Sequence, residues 1–206
     1  GAILGNLNTA VAHMSGANLE GCLRAPTAQA LARIANFVDQ VQANRNWCES
    51  GGARGAPARF DGEDLRPLGD VLKGGRLTAM SAKGACMVGL DMSGCQLQGA
   101  NLEGADLRGA VLIKADLRGV RLAGANLTKA DLRGAILGVL PLGPNRVNPA
   151  SLTSATLRYA WVQAADLTSA VLDGADLRGA DLTGARLQNA SLRDAELATA
   201  VGLEAA

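Results

Sequence analysis

Residues 101–135 read NLEGA DLRGA VLIKA DLRGV RLAGA NLTKA DLRGA, and residues 151–195 resume as SLTSA TLRYA WVQAA DLTSA VLDGA DLRGA DLTGA RLQNA SLRDA. The Leu of each unit is taken as its centre. Stepping by five from Leu72 to Leu197 gives 26 centres, 21 of them Leu; the exceptions are Ala82, Met87, Met92, Val147 and Val162. Two residues before the centres, 18 of the 26 positions are Ala. A repeat this regular decides the architecture before any local propensity does.

A period of five suits neither common element. On an α-helix five residues advance by about 140°, which scatters the leucines around the axis. On one straight strand, positions five apart face opposite sides. Both difficulties vanish if the chain turns a corner in every unit. Ala and Leu, two apart, then point the same way from a short extended segment. The two residues that follow supply the turn, often ending in glycine as at Gly104, Gly109 and Gly119. The expected core is therefore Leu102, Leu107, Leu112, Leu117, Leu122, Leu127, Leu132, Leu167, Leu172, Leu177, Leu182, Leu187 and Leu192. Beside them stand the small Ala105, Ala115, Ala125, Ala175 and Ala185.

Composition agrees with a thin, repetitive interior. The 206 residues include 26 Gly and are 48% hydrophobic but only 2% aromatic, whereas ordinary cores rely on large rings. Twenty Lys and Arg against nineteen Asp and Glu leave a net charge of +1. That balance argues against direct nucleic-acid binding through a bulk positive field, and equally against an acidic mimic of a nucleic acid.

These units resemble the pentapeptide-repeat family, with its A-(D/N)-L-x-x consensus. The resemblance implies an all-β fold, a right-handed quadrilateral (four-sided) parallel β-helix solenoid with four repeats per coil. It implies a scaffold for protein–protein interaction within a larger bacterial protein. Some members of the family mimic duplex DNA, bind DNA gyrase and confer quinolone resistance, which supplies the alternative reading. Their centres are often Phe and their charge acidic; no centre from Leu72 to Leu197 is Phe here.

Three segments are expected. Residues 2–22 carry one coil, of which Ala17-Asn18-Leu19-Glu20-Gly21 is the cleanest copy. Residues 23–57 form a helical connector, with Thr27 capping a helix to about Asn46 and Leu31, Ile34, Val38 and Val41 as its apolar stripe. This helix either covers the edge of a coil or packs on the side of the stack. Residues 58–203 hold the main repeats, which return at Ala58/Phe60 and Leu65 and slip by two residues through Pro67-Leu68-Gly69 before the Leu72 register. Within them, 138–149 carries three prolines, poor material for ladder hydrogen bonds. That stretch either stays in the wall as two poor repeats or, the favoured reading, loops out as ten residues. Neither terminus reads as a cap, so end-to-end homo-association through open coils, or a longer parent chain, is expected.

Little chemistry is legible. His13 stands alone, and Cys22, Cys48, Cys86 and Cys95 lack CxxC spacing, so no metal or cofactor is expected. Cys22 and Cys95 occupy inward slots; Cys86 should be exposed. No nucleophile–base set can be assembled, which predicts a non-catalytic protein. The aspartates before the centres are read as partners of the turn backbone. No stretch is long and apolar enough to cross a membrane, and the cytoplasm is the default compartment. The candidate interaction surface is the outward aromatic pair Tyr159 and Trp161, then the arginines Arg118, Arg158 and Arg178, for an unidentified protein partner. With twenty residues per coil these arginines share a face; if 138–149 loops out, Arg118 leaves it.

Overall fold

The computed structural model describes residues 25–203. The expected coil at 2–22, with His13 and Cys22, lies outside the described residues. From Arg76 onward, parallel bridges that do not span residues 138–149 join residues twenty apart: Arg76 to Gln96, Asn101 to Arg121, Asp106 to Asn126. The chain therefore meets itself again after every four five-residue repeats. One bridge residue per repeat is too short for a regular strand, and the only strands among the described residues are β1 (Leu140–Gly143) and β2 (Arg146–Asn148).

Hydrogen bonding within one repeat explains the consensus. In the repeat from Asp106 to Ala110, the Asp106 N–H donates backward to the Ala85 carbonyl, and Leu107 and Gly109 donate forward to Asn126 and Thr128. The Ala110 N–H closes a local turn on the Leu107 carbonyl. The remaining donor, the Arg108 N–H, is taken by the Asp106 carboxylate at 3.3 Å. All five amides are thus bonded. The same side-chain closure recurs at Asn101, Asp116, Asn126, Asp131, Asp166, Asp176 and Asp181. A short acceptor before each Leu is the local requirement, and Asp and Asn meet it.

The inward face holds Leu102, Leu107, Leu112, Leu117, Leu122, Leu127, Leu132, Leu167, Leu172, Leu177, Leu182 and Leu187, all buried, with Ala105, Ala115, Ala125 and Ala175. Leu192 and Ala185, in the last described coil, are half-buried and pack against this core.

The first coil of the main stack is longer. Arg59 bridges Ser81 and Asp64 bridges Cys86, each pair 22 apart. The two additional residues are absorbed in a 3-10 helix, Arg66–Leu72, kinked at Gly69 with φ 52°.

Residues 140–148 leave the wall as the antiparallel hairpin β1–β2. The ladder closes behind it, with Arg121 bridged to Ser151 and Asp131 to Trp161, thirty residues apart. Gly119 makes the seat: a Cβ there would stand 2.7 Å from the Cβ of Leu140. The Asn148 side-chain amide donates to the Gly119 carbonyl at 2.9 Å.

The helical connector differs from the sequence expectation. It breaks at Arg33 into α1 (Ala28–Ala32), capped by Thr27, and α2 (Ile34–Glu49). Leu31 and Val38 are exposed rather than inward. Of the expected stripe Val41 does pack against the core, and the side chains that share this inward face with it are Phe37, Gln40, Asn44 and Cys48. Phe37 meets Phe60 edge-on with ring centres 5.7 Å apart. Asn44 is fully buried; it accepts from the Ala58 N–H at 2.9 Å and donates to the Thr78 carbonyl at 3.1 Å. Gln40 accepts from the Arg59 N–H at 3.0 Å, and the Cys48 thiol points to the Arg76 carbonyl at 3.7 Å. The homologous groups one coil later, the Ser81 N–H and the Gln96 and Gln98 carbonyls, bond to the preceding coil. Helix α2 thus occupies the place of a missing coil and covers the edge of the stack. Three of its five inward side chains are polar because they face backbone donors and acceptors, which an apolar stripe leaves unpaired.

Candidate interaction surface

Tyr159 and Trp161 stand at one corner of the stack, 58% and 48% exposed. Tyr159 occupies the turn position with φ 56°, a left-handed conformation that glycine fills in most repeats. Its ring lies over Gly179 in the next coil: a Cβ on Gly179 would stand 2.5 Å from the Tyr159 Cδ1. Trp161 is on the adjoining face, bridged between Asp131 and Asp181. A shallow cavity of about 610 Å³ is lined by both rings with Lys129, Ala160, Gly179 and Asp181. The Asp181 carboxylate accepts from the Thr183 N–H at 2.9 Å and from the Gln163 amide at 2.6 Å. That amide donates through its nitrogen, and its oxygen, Gln163 Oε1, is the one buried side-chain polar atom without a partner among the described residues.

The arginines are not brought together as a set of three. Tyr159 donates to the Arg178 carbonyl and Lys129 to that of Arg158, so Arg158 and Arg178 are stacked neighbours, with Arg108 two coils before Arg158 in the same column. Gly119 instead follows Arg118 to Gly138, on another face. The protruding hairpin shifts the register by half a coil, and Arg118 drops out of the candidate surface.

None of these guanidiniums is uncommitted. Arg118 forks onto Asp116 at 2.6 Å, and Arg178 onto Asp176 at 2.8 Å, which also pairs with Arg158. Arg108–Asp106 and Arg133–Asp131 repeat the pattern, each pair closing at 2.6 Å. Their guanidinium ends stand in solvent although Asp131 is buried, and surface pairs of this kind contribute about 0–1 kcal/mol each. Their regularity argues for a neutralised wall rather than an arginine-rich docking site.

The carboxylates carry a pH signature. Hydrogen bonds from Lys73 and Ser93 pull Asp91 from 3.8 down to about 2. Arg178 holds Asp176, and Arg133 holds Asp131, below the usual carboxylate range. A carboxyl lowered by folding stabilises the native state above its unfolded pKa of about 4 and loses that contribution as the pH falls through the lowered values. The urea midpoint is expected to be level from about pH 7 to pH 5 and to fall between about pH 4 and pH 2. A midpoint constant down to pH 2 would contradict these pairings.

Cys95 is buried, its thiol donating to the Leu72 carbonyl at 2.6 Å, and burial raises its pKa to about 11. Cys86, expected in solvent, is half-buried, and desolvation raises its pKa too. No group of three or more His, Cys, Asp or Glu able to hold a metal occurs among the described residues. No helix there is long and apolar enough to cross a membrane.

The family model described as pentapeptide repeats matches in eight copies, over residues 76–112, 100–138, 150–189 and 163–198. No curated protein sequence matches. Among solved structures, the chain is similar to HetL, a pentapeptide repeat protein involved in heterocyst differentiation regulation in the cyanobacterium Nostoc. Identity is 32% over 65% of this chain and 62% of HetL, with a TM-score of 0.30. A pentapeptide repeat protein of the Arabidopsis thaliana thylakoid lumen shares 26% identity over 63% of this chain and 72% of its own, with a TM-score of 0.31. QnrB1, a plasmid-mediated fluoroquinolone resistance protein, shares 16% over 69% and 72%, with a TM-score of 0.35. The chain thus spans less than two thirds of HetL.

Proposed function

Because the chain belongs to the pentapeptide-repeat family, we propose that it is a non-catalytic scaffold, a right-handed four-sided β-helix whose outer surface docks another protein. The observation that carries this reading is the pair Tyr159 and Trp161. In a chain that is only 2% aromatic, two rings are held in solvent at one corner. Exposed Tyr and Trp are among the side chains that most often anchor interfaces. The filled Leu and Ala interior supports the non-catalytic part, since catalysis needs an enclosed pocket. Free thiols at Cys48, Cys86 and Cys95 fit a reducing compartment, so a cytoplasmic location is proposed.

The test is affinity capture from extract of the source cells, comparing the wild type with the Y159G/W161N double variant. Glycine suits the turn at 159, and Asn101 and Asn126 already occupy the position equivalent to 161. The reading expects partners retained by the wild type and lost from the variant; an identical set of retained proteins would contradict it. The topoisomerase reading needs an acidic surface, and here the aspartates are matched by arginines. A gyrase supercoiling assay is expected to show no inhibition.

A further inference from the structure

We propose that the aromatic corner takes the β1–β2 hairpin of a second copy of this chain, in a head-to-tail contact. This rests on the reading of that corner as a docking surface, and names its occupant.

The hairpin is the other irregular exposed feature of the stack. Leu142 and Val147 are 52% and 59% exposed, and Pro141, Pro144 and Arg146 around them are exposed as well. The hairpin runs through Pro141-Leu142-Gly143-Pro144, where the two prolines fix φ and Gly143 takes φ 135°. It is preorganised by its own pairing and by the Leu140 and Asn148 contacts at Gly119, which keeps the ordering penalty of association small.

The corner offers the complementary features. Tyr159 and Trp161 supply flat apolar surface lining a cavity of about 610 Å³, and Lys129, also on its wall, supplies a donor for backbone carbonyls. The charges match as well. Among the described residues Arg146 has no ion-pair partner, and Asp181 is bonded only to Thr183 and Gln163, with no cation. A docked hairpin brings this guanidinium and this carboxylate within reach of each other.

The contact is between copies because one molecule cannot make it alone. Gly119 seats the hairpin, whereas Tyr159 lies in the turn column of Lys129 and Gly179, half a coil further round. A hairpin on one side and a corner on the other form a heterologous pair, which propagates from copy to copy instead of closing as a two-fold dimer.

Sedimentation of the purified chain tests this with two variants. W161N removes the corner, with Asn at a position where Asn101 and Asn126 already stand. L142S/V147S removes the apolar hairpin surface, which is already exposed, so the stack keeps its core. Wild type is expected to sediment faster as concentration rises, and each variant alone to remain monomeric at tenfold higher concentration. An equal mixture of the two variants is expected to form dimers and nothing larger, because one intact corner and one intact hairpin remain between them. R146E is expected to weaken wild-type association at least tenfold, and R146E/D181R to restore it; Arg121 and Arg186 already occupy the position equivalent to 181.

A wild type that stays monomeric overturns the inference, while extract capture that still depends on Trp161 leaves the docking reading intact. Association unchanged in either variant, or a mixture that stays monomeric, overturns it too, since the first points to stacking of coil ends and the second to pairing of like surfaces.

Discussion

Asn44→Ala is expected to open the covered end of the stack and lower stability by about 2–6 kcal/mol, since each buried backbone group left without a partner costs about 1–3 kcal/mol. Asn44 is fully buried and satisfies two such groups, the Ala58 N–H and the Thr78 carbonyl, through opposite ends of one amide. An apolar residue of similar size, as in Asn44→Leu, should be no better, because packing replaces neither bond. Asn44→Asp is the diagnostic variant: it keeps an acceptor for Ala58 but sets a carboxylate against the Thr78 carbonyl, so it too should destabilise. Urea unfolding read by circular dichroism gives the midpoints. Amide exchange should show faster opening confined to Ala58, Arg59 and the coil that follows, because each coil in a solenoid contacts only its neighbours. Midpoints unchanged in all three variants would mean that α2 does not cover the edge.

The second large effect is in the interior. Leu122→Ala is expected to destabilise by about 2–5 kcal/mol, the range for a buried Leu whose cavity closes only partly. Leu122 is fully buried, and its neighbours across the core are other leucines and alanines held by a backbone bonded on both sides. That ladder resists collapse into the void, which places the cost toward the upper end. The reverse substitution, Ala125→Leu, is expected to destabilise as well, by about 1–3 kcal/mol, through overpacking. Loss of stability in both directions marks an interior of fixed cross-section. A denaturation midpoint insensitive to either would indicate that these side chains do not face inward.

Most of the architecture was legible because a single period carries it. Ala and Leu two apart give an inward face, glycine gives the turn, and Asp or Asn supplies the acceptor for the one amide the ladder leaves over. The helix was legible in its existence and missed in its orientation. Periodicity arguments assume that the inward face is the apolar one, but α2 meets an open row of amides and carbonyls, and Gln40, Asn44 and Cys48 answer it with hydrogen bonds. A signal was available: Gln40, Asn44 and Cys48 lie four residues apart on one face, in line with Phe37. The fate of Arg118 was conditional on whether 138–149 left the wall, which period five cannot decide, since ten residues preserve the phase whether they are in or out. That Tyr159 and Trp161 face outward was legible from their places in the repeat. Their setting was not, because the flat seat at Gly179 depends on which coil lies next.

The central claim is that four repeats make one coil and that the hairpin stands outside the count. Scalar couplings across hydrogen bonds in the labelled protein measure this directly, because each reports one donor and one acceptor. The account predicts that the Leu102 N–H couples to the Arg121 carbonyl, nineteen residues on, and that the Leu122 N–H couples to Ser151, twenty-nine residues on. Coupling of Leu122 to Pro141 would put the proline segment back into the wall, and no coupling at either spacing would remove the coil itself.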